Sequence, residues 1–531
     1  MSEESNRSEL TLSQILLSRI SQYADRIAVK DEAMQYTFAE LDHESNILAN
    51  YLKEQGIRRG DRVALVEPND CHYLVADLAL LKMGAVKVPL NELLSSNDVE
   101  YCLRDSGAVA AIGKTELLDK ALAATETAVQ LIIDMESRTD DKRLDERLVS
   151  WEFIRGSGDS SPLFTEFHKD DVVLIMYTGG TTGRSKGVVH TQSTLGHNLC
   201  SQIIETGIRD EDTLLVTTPL PHASGFFVNV ALSQGARTLL HRAFDTEKVI
   251  DAIQNEGASV TFMVPTMIYK MLDNLNDQPR DLTGLSTILY GAAPIAKDRL
   301  VQGLELFGPV FMQIYGQSEA PNFITRLTKR DHAEWSIRPE RLKSCGRPVT
   351  MSHVRIVSDD SSAQTLAAGQ VGEVTVSTPY TMREYWNQPD QTAKSLKGGW
   401  LHTGDLGYMD EHGYLYLVDR KNDMIISGGM NVYTTEVESL IFKVNGVQSA
   451  TVVGIPDDYW GEAIVAFVVP QVSVDTPDLH ERIMLESRKS LSKYKVPKRI
   501  EFLTCLPMTP YGKVDKKLLR TEYNNVIKQE K

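Results

Sequence analysis

A glycine- and threonine-rich loop with one lysine follows an apolar run near the middle of the chain. The run DVVLIM leads into YTGGTTGRSKG, residues 177–187, whose four glycines, hydroxyl groups and Lys186 ammonium suit an anion. Glycines let a backbone approach a ligand closely and direct several N–H groups at it. The order differs from the P-loop pattern G-x-x-x-x-G-K-[ST], because Arg184 and Ser185 separate the third glycine from the lysine. The loop predicts a phosphate site, while its composition alone leaves open an ordinary solvent-exposed turn.

The length and composition of the chain indicate its class. At 531 residues, with 42% hydrophobic and 24% charged residues, it has material for several folding units with buried cores. Its formal net charge is −16, which opposes non-specific nucleic-acid or anionic-membrane binding, since both need basic patches. A polyanion such as ATP would therefore be held by local donors, a few cations and a metal ion.

The cysteines and the terminal segments predict a cytoplasmic protein. Five cysteines are scattered without a C-x-x-C pair, which provides neither a zinc site nor a disulfide framework and fits a reducing compartment. The first residues are polar and acidic, unlike a secretory signal, and no apolar run approaches the ~20 residues that span a bilayer. We expect no integral membrane segment and no nucleic-acid partner, and a homodimer stays open.

The elements that must position the loop alternate between helix and strand. TFAELDHESNILANYLKEQG, residues 37–56, predicts a helix that begins with a capping box formed by Thr37 and Glu40. RVALVE, YLVADLALLKMG and AVKVPL follow as strand, helix and strand, which predicts a parallel sheet covered by helices. The alternation returns between residues 171 and 315. The loop begins where one of these strands ends, which is where doubly wound sheets bind ligands.

Two regions with other patterns complete the chain. Short alternating strands and glycine-rich turns between about residues 343 and 417 predict a β-rich subdomain, and a smaller αβ unit begins after Arg420. We therefore predict an α/β protein with a large N-terminal domain, residues 1–420, built from two doubly wound αβ subdomains and a small β-rich subdomain. A small mobile α+β C-terminal domain, residues 421–531, follows.

Five further segments follow the loop in order. They are GAAP (291–294), YGQSEA (315–320), WLHTGD (400–405), DRKNDMIISGGMNV (419–432) and PYGK (510–513). With the loop, in this order and at these separations, they resemble the adenylate-forming (AMP-binding) superfamily of acyl-CoA synthetases, peptide-synthetase adenylation domains and luciferases. The resemblance covers nearly the whole chain, from residue 36 to residue 513.

The resemblance implies an ATP-dependent reaction in two steps, with ATP, Mg²⁺ and coenzyme A as cofactors. A carboxylate attacks the α-phosphate of ATP and expels pyrophosphate, which leaves an acyl-adenylate. A thiol, usually that of coenzyme A, then attacks the acyl carbon and AMP leaves. Such transfer depends chiefly on positioning and charge neutralisation, so cations, a metal-binding carboxylate and ribose contacts are the groups to expect.

The resemblance also implies which residues hold the nucleotide. The loop would clamp the β- and γ-phosphates, and Tyr315 would face the backbone of residues 291–293 across the adenine. Asp405 would accept hydrogen bonds from the ribose hydroxyls, and Arg420 would reach the ribose and phosphates. Taken alone, Tyr315 fits a core aromatic and Asp405 a turn residue. The implied cofactor-binding set is Thr178, Gly179, Gly180, Thr181, Thr182, Gly183, Lys186, Gly291, Ala292, Ala293, Tyr315, Gly316, Gln317, Ser318, Asp405, Arg420 and Lys513.

Five residues are implied in the chemistry itself. Lys513 would bridge the attacking carboxylate and the α-phosphate, and Glu319 would bind Mg²⁺. Ser318 would contact the α-phosphate and Lys186 the leaving pyrophosphate. His222 resembles a gate between the ATP site and the acyl pocket, although a lone histidine is equally a structural residue.

For the second step, Gly428 and Gly429 resemble the segment that lines the pantetheine tunnel. The family exchanges its two steps by rotating the C-terminal domain about a hinge, which corresponds here to Asn422. Three positions depart from the family pattern. Gly179 replaces a serine, Ser185 a proline, and Asn422 an aspartate or lysine, and we expect these changes to affect rate rather than the choice of acid.

The predicted acyl pocket is apolar and offers no charged group for an amino group. Its residues are His222, Phe226, Phe227, Phe262, Met263 and Pro321. We therefore expect a hydrophobic carboxylic acid, fatty or aromatic, as the substrate. An acyl-AMP ligase that loads a separate carrier protein stays an alternative. A non-catalytic nucleotide-binding protein is opposed by the presence of Lys186, Glu319, Asp405, Arg420 and Lys513.

Overall fold

Helices and short strands alternate through the first part of the chain, as the sequence predicts. The computed structural model describes residues 10–124, 126–136, 145–179, 185–277, 280–358, 363–457, 459–472, 474–509 and 514–530. The first elements are α1 (Leu12–Ile20), β1 (Ile27–Lys30), β2 (Gln35–Thr37), α2 (Phe38–Glu54), β3 (Arg62–Val66), α3 (Cys71–Met83), β4 (Val86–Pro89), α4 (Ser96–Ser106), β5 (Ala110–Gly113), α5 (Thr115–Leu122), β6 (Leu131–Asp134), β7 (Leu148–Ser150) and α6 (Trp151–Ser157).

The middle of the chain repeats the alternation and ends in two longer strands. Its elements are β8 (Val172–Thr178), β9 (Lys186–Thr191), α7 (Gln192–Thr206), β10 (Thr213–Val216), α8 (Gly225–Gln234), β11 (Arg237–Leu240), α9 (Thr246–Asn255), β12 (Val260–Met263), α10 (Pro265–Asp277), β13 (Thr287–Tyr290), α11 (Lys297–Phe307), β14 (Phe311–Gln317), β15 (Ala320–Leu327), α12 (Lys329–Ala333) and β16 (Arg347–Pro348).

A β-rich part and a smaller α+β part follow. The β-rich part holds β17 (His353–Val357), β18 (Gly372–Ser377), β19 (Glu384–Tyr385), α13 (Pro389–Ser395), β20 (Leu396–Lys397), β21 (Trp400–Met409) and β22 (Leu415–Arg420). The last part holds β23 (Ile425–Ser427), β24 (Met430–Val432), α14 (Thr434–Phe442), β25 (Val447–Asp457), β26 (Gly461–Pro470), α15 (Thr476–Ser490), β27 (Arg499–Phe502) and α16 (Lys516–Glu530).

The strands of the described residues form four sheets. A nine-stranded sheet has the order β16-β15-β14-β13-β12-β10-β11-β1-β2, and an eight-stranded sheet has the order β19-β9-β8-β4-β3-β5-β6-β7. The third sheet runs β17-β18-β21-β20 with β22 beside β21, and the fourth runs β24-β23-β26-β25 with β27 beside β26. This confirms the predicted α/β class, with two αβ subdomains, a β-rich subdomain and a small α+β C-terminal part.

Helix α2 shows how the sequence determines these elements. The Thr37 side chain accepts a hydrogen bond from the Glu40 N–H at 3.1 Å, and the Glu40 carboxylate accepts one from the Thr37 N–H at 2.8 Å. The predicted capping box is therefore confirmed. Apolar side chains of α2 face the core, where Leu41 and Leu48 are fully buried. Gly56 follows the helix with a φ of +90°, in the left-handed region that favours glycine.

Two strand pairings join parts of the chain that are distant in sequence. β1 lies beside β11 in the nine-stranded sheet, with Val29 opposite Thr238, whereas β3–β7 belong to the other large sheet. β19 returns from the β-rich part to pair with β9, with Tyr385 opposite Val188. Because neither pairing follows from local pattern, the sequence did not predict that Tyr385 lies beside Lys186 at the start of β9.

The third sheet ends at Arg420 and the fourth begins at Ile425. The predicted domain boundary after residue 420 and the predicted hinge, Asn422, fall in this connection, and both stay predictions. Among the helices of the described residues, none is long and apolar enough to cross a bilayer.

Candidate active site

The predicted phosphate loop connects the two strands of an antiparallel hairpin. Thr178 at the end of β8 lies opposite Lys186 at the start of β9. A P-loop instead joins a strand to a helix, so the difference seen in the sequence has a structural counterpart. Loop residues that lie outside the described part of the chain are Gly180, Thr181, Thr182, Gly183 and Arg184. Their phosphate contacts stay predictions.

The base of this hairpin is held by neighbouring side chains. The Tyr177 hydroxyl donates to the Asp105 carboxylate at 2.6 Å, and the Tyr101 hydroxyl donates to the Ser185 carbonyl at 3.0 Å. The Trp386 indole N–H donates to the Asp105 carbonyl at 2.9 Å. Both ends of the loop are therefore fixed relative to the sheet.

One tyrosine contacts both the predicted Mg²⁺ ligand and the predicted loop lysine. The Tyr385 hydroxyl donates to Oε1 of Glu319 at 2.6 Å, and Nζ of Lys186 lies 4.5 Å from the centre of the Tyr385 ring. The Met382 N–H donates to the Glu319 carbonyl at 2.7 Å. Burial, followed by the charge of Glu319, raises the pKa of Tyr385, so its hydroxyl keeps its proton and donates.

The Glu319 carboxylate fits a magnesium ion. One oxygen accepts the Tyr385 hydrogen bond, and the carboxylate forms no ion pair with another described residue. Its remaining lone pairs can bind a cation. One carboxylate, phosphate oxygens and water are the usual ligands of Mg²⁺ beside a nucleotide.

A buried histidine fixes the backbone next to Glu319. Nε2 of His190 lies 2.8 Å from the Ser318 carbonyl, which can only accept, so this nitrogen carries a proton and donates. Burial lowers the pKa of His190 to about 4, which keeps the imidazole neutral near pH 7. The position of Ser318 is thus set by β9, the strand that begins at Lys186.

A second tyrosine binds the predicted ribose carboxylate. The Tyr315 hydroxyl donates to Oδ2 of Asp405 at 2.6 Å, and Nε of Arg420 lies 2.7 Å from Oδ1. Asp405 and Arg420 are opposite each other on β21 and β22, so the strand register creates this ion pair. The charge of Asp405 is the main cause that raises the pKa of Arg420. Each Asp405 oxygen keeps a lone pair for a ribose hydroxyl.

The predicted adenine segment follows the neighbouring strand, β13. A Cβ on Gly291 would lie 2.5 Å from the Ile314 carbonyl oxygen, so only glycine fits there. Ala292 has a φ of +65° and, like Ala293, is exposed at the carboxyl end of the strand. Gln317 has a buried side-chain nitrogen that lacks a hydrogen-bond partner in the described structure, which suits a donor that awaits a ligand.

Gly316 and Asn322 pack together at the β14–β15 turn. A Cβ on Gly316 would lie 2.6 Å from the Asn322 backbone nitrogen, which excludes larger residues. Asn322 has a φ of +63°, and its side-chain amide donates to the Ala223 carbonyl at 3.1 Å. The turn that carries Ser318 and Glu319 is therefore tied to the segment next to His222.

His222 lies at a kink in the backbone just before α8, where its backbone angles are not helical. Its Nε2 is 2.9 Å from the side-chain nitrogen of Asn91, whose oxygen accepts the Leu93 N–H at 2.9 Å. Because the amide nitrogen donates, Nε2 of His222 accepts and is unprotonated. A cavity of about 40 Å³ borders His222 and Phe226. The assignment of a gate to His222 stays a prediction.

The structure gathers some of the predicted acyl-pocket residues and separates one of them. The Phe227 ring centre lies 5.5 Å from that of Phe262 and 6.3 Å from that of Phe323. Met263 instead packs into a different hydrophobic core, because successive side chains of β12 point to opposite faces of the sheet. Pro321 is buried at the start of β15. Phe262 and Met263 therefore face different surroundings.

The predicted thiol-step segment forms the turn between β23 and β24. Gly428 and Gly429 have φ values of +59° and +77°, and the Gly428 N–H donates to the Trp460 carbonyl at 2.7 Å. Lys513 lies outside the described residues, and its role stays a prediction. Asn422 is exposed in the connection before β23.

Sequence reasoning missed three residues of this site. Tyr385, His190 and Asn91 contact predicted residues, yet each reaches the site through a sheet pairing or a strand end. The aromatic pair in REYWNQPD was the only local signal for Tyr385. No pattern around His190 or Asn91 indicates a binding site.

Both parts of the chain match a known family. The profile described as AMP-binding enzyme matches residues 17–386, and the profile described as AMP-binding enzyme C-terminal domain matches residues 436–513. The first match alone covers more than half of the chain.

Several proteins are similar over nearly the full length. A feruloyl-CoA synthase of Amycolatopsis sp. is 36% identical over 95% of this chain and 97% of its own. The medium/long-chain-fatty-acid–CoA ligase FadD8 of Mycobacterium tuberculosis is 35% identical over 88% of this chain and 82% of its own. The structure of the amide bond synthetase McbA from Marinactinospora thermotolerans superposes with a TM-score of 0.85 at 31% identity, covering 97% of this chain and 100% of its own.

Proposed function

Since this chain belongs to the AMP-binding enzyme family and is an enzyme of its acyl-CoA synthetase type, we propose that it activates a hydrophobic carboxylic acid. The acid, fatty or aromatic, would be joined to the α-phosphate of ATP as an acyl-adenylate. Coenzyme A would then take the acyl group, and AMP and pyrophosphate would be the other products.

One observation supports this proposal most strongly. Tyr315 and Glu319 flank the same β14–β15 turn, and each takes part in a tyrosine–carboxylate hydrogen bond of 2.6 Å. Arg420 and Lys186 add one cation to each pair. A carboxylate–arginine pair suited to ribose, and a carboxylate and a lysine suited to magnesium and phosphate, thus lie on either side of this turn.

In the first step these residues would position charge rather than transfer protons. An ionised carboxylate is already a nucleophile, so no general base is needed, and the unprotonated Nε2 of His222 is already occupied by Asn91. Lys186 would hold the leaving phosphates and Lys513 the attacking carboxylate. Bound Mg²⁺ would neutralise part of the negative charge of the phosphates.

The class of acid is inferred from the apolar surroundings of the predicted pocket. Phe227, Phe262 and Phe323 form an aromatic cluster on the side of β12 that faces α8. The names of two relatives refer to feruloyl and to medium- and long-chain fatty acyl groups, which are likewise apolar for most of their length. An acid of this type would bury its chain or ring beside these phenylalanines.

The acceptor is inferred to be a thiol. The Gly428–Gly429 turn is exposed and neither residue carries a side chain, which suits the close approach of a thin pantetheine chain. A carrier protein bears the same pantetheine group and remains the second candidate. An amine is the third, because McbA is named an amide bond synthetase.

A product assay tests this proposal. The full chain is incubated with ATP, Mg²⁺ and a panel of fatty, aromatic and amino acids, together with coenzyme A, a phosphopantetheinylated carrier protein or an amine. We expect acyl-CoA from hydrophobic acids and no product from amino acids. An amino acid as the best substrate, or product only with the carrier or amine, would contradict the proposal.

The roles of Lys513 and of the predicted hinge can be tested by separating the half-reactions. We expect Lys513→Ala to reduce acyl-adenylate formation by roughly a hundredfold or more, because one positioned charge near the reacting atoms is lost. Lys517→Ala is the matched control from the same basic run. The variant should still convert preformed acyl-adenylate and coenzyme A to acyl-CoA. Equal loss in both half-reactions would refute the exchange of domain positions.

A further inference from the structure

Tyr385 reaches the candidate site on a strand of only two residues. β19 pairs antiparallel with β9, which places Tyr385 opposite Val188 and close to Lys186 at the start of the same strand. The ring is 4% exposed and packs into the cluster that also contains Val188, Tyr315 and Ala320. Its orientation is therefore fixed by the core rather than by a surface loop.

The two polar contacts of this ring are of different kinds. The hydroxyl donates to the Glu319 carboxylate at 2.6 Å, and the Lys186 ammonium lies over the ring, 4.5 Å from its centre. Within the described residues, neither Lys186 nor Glu319 forms an ion pair. The Lys186 ammonium and the Glu319 carboxylate thus both contact Tyr385 but do not pair with each other.

This separation has a consequence for ligand binding. If Lys186 and Glu319 paired directly, a nucleotide would have to break that pair before either group could contact phosphate or magnesium. The ring offers the ammonium a weaker cation–π attraction, and the hydroxyl offers the carboxylate one oriented hydrogen bond. Both charges are held in place, and each keeps free capacity for the ligand.

We propose that Tyr385 is a positioning residue that keeps Lys186 and Glu319 apart and oriented for magnesium-bound ATP. This inference rests on the proposed function for the identity of the ligand. It goes further by assigning to Tyr385, which lies outside the segments named in the sequence analysis, control over the two charges that would hold the phosphate end of ATP.

Two substitutions separate the two contacts. Tyr385→Phe keeps the ring under Lys186 and removes the hydroxyl from Glu319, so the Mg²⁺ concentration for half-maximal ATP binding should rise about threefold to tenfold. Tyr385→Leu removes both contacts and lets Lys186 and Glu319 pair, so the Kd for magnesium-bound ATP should rise about tenfold or more.

A second tyrosine provides a matched control. The Tyr414 hydroxyl donates to the Asp331 carboxylate at 2.6 Å, and the Arg341 guanidinium lies 4.8 Å from the ring centre. Asp331 belongs to α12, which follows the far end of β15, away from Glu319. Tyr414→Phe therefore removes the same kind of hydrogen bond without touching the candidate site.

The experiment measures Mg²⁺-dependent ATP binding by calorimetry, with the melting temperature of each variant. We expect the Tyr385 variants, but not Tyr414→Phe, to change ATP and Mg²⁺ affinity by more than their loss of stability explains. Unchanged affinities, or changes equal to those of Tyr414→Phe, would overturn the role of Tyr385. Because the assay contains no carboxylic acid, a wrong substrate assignment would leave this result intact and would instead appear in the product assay.

A double-mutant cycle tests whether Tyr385 acts through Glu319. If Tyr385 acts through Glu319, the effect of Tyr385→Phe on Mg²⁺ dependence should largely vanish in a Glu319→Gln background. Additive effects in the double variant would show that Tyr385 does not act through Glu319, and would overturn the proposal.

Discussion

The two ends of the candidate nucleotide site use the same parts in different arrangements. At the predicted ribose end, Tyr315 donates to Asp405, and Arg420 pairs with the same carboxylate at 2.7 Å. At the predicted phosphate end, Tyr385 donates to Glu319, but the cation lies on the tyrosine ring instead of on the carboxylate. At the ribose end the two charges form an ion pair, whereas at the phosphate end Lys186 and Glu319 do not pair with each other.

This difference matches the ligands that each end would take. Ribose hydroxyls are neutral, so a carboxylate already paired with arginine can accept their hydrogen bonds without leaving a charge unpaired. A polyphosphate with its metal ion instead needs a free cation and a free carboxylate. The comparison therefore predicts that variants at the phosphate end change the Mg²⁺-dependent binding of ATP and the chemistry, whereas variants at the ribose end change ATP affinity and stability.

The largest effect is expected at Glu319. Glu319→Gln keeps an oxygen that accepts the Tyr385 hydrogen bond but removes the charge that would hold Mg²⁺. Adenylation should fall roughly 10²- to 10³-fold, as is usual when one preorganised electrostatic contact is lost. The measurement is the adenylation rate as a function of Mg²⁺ concentration. A variant with wild-type rates at all Mg²⁺ concentrations would exclude Glu319 as the metal ligand.

A smaller effect is expected at Asp405. Asp405→Asn leaves Arg420 without its ion pair and removes one acceptor, so the KM for ATP should rise roughly tenfold to hundredfold. Asp331→Asn is the matched control, since Asp331 also accepts a tyrosine hydrogen bond at 2.6 Å and lies 3.7 Å from an arginine. Both variants should lose stability, but only Asp405→Asn should change the KM for ATP. Equal KM values would remove Asp405 from the binding site.

The smallest effect concerns pH and stability. His190 and His332 are buried with pKa values lowered from 6.5 to about 4, so the unfolded chain binds more protons than the native chain between these values. The contribution of each neutral histidine to the free energy of unfolding is therefore present above the unfolded pKa of about 6.5 and is lost as pH decreases towards 4. The loss should be roughly 1.4 kcal/mol per histidine between about pH 7.5 and 5.5.

Urea unfolding of the wild type and of His190→Gln at these two pH values checks this prediction. Because glutamine does not titrate, the variant should lose less stability on acidification than the wild type. The same loss in both proteins would show that His190 is not held neutral in the native state.

Much of the fold could be predicted from local pattern. The capping box of α2 and the strand–helix–strand order of β3, α3 and β4 follow from residue types at fixed spacing. The placement of β1 beside β11 and of β19 beside β9 could not be predicted, because sheet neighbours distant in sequence are chosen by packing.

The candidate site, like the fold, could be predicted where local motifs indicate it but not where it depends on pairing between distant strands. Glu319, Asp405 and Arg420 were identified by motifs, and the structure places them with tyrosines or with one another. Tyr385 is brought to the site by the pairing of β19 with β9, and His190 is buried on β9. Neither a sheet pairing nor burial leaves a pattern in the local sequence. Met263 was grouped with Phe262 by proximity in sequence, although alternation along β12 directs the two side chains to opposite faces.

The most direct test of the account is carboxylate-dependent exchange of labelled pyrophosphate into ATP by the full chain in the absence of coenzyme A. Exchange requires that an acyl-adenylate forms reversibly and that pyrophosphate leaves before the thiol enters. We predict exchange with a hydrophobic acid, and none when the acid or Mg²⁺ is omitted. Exchange that needs coenzyme A, or that occurs equally without any carboxylic acid, would contradict the proposed two-step reaction.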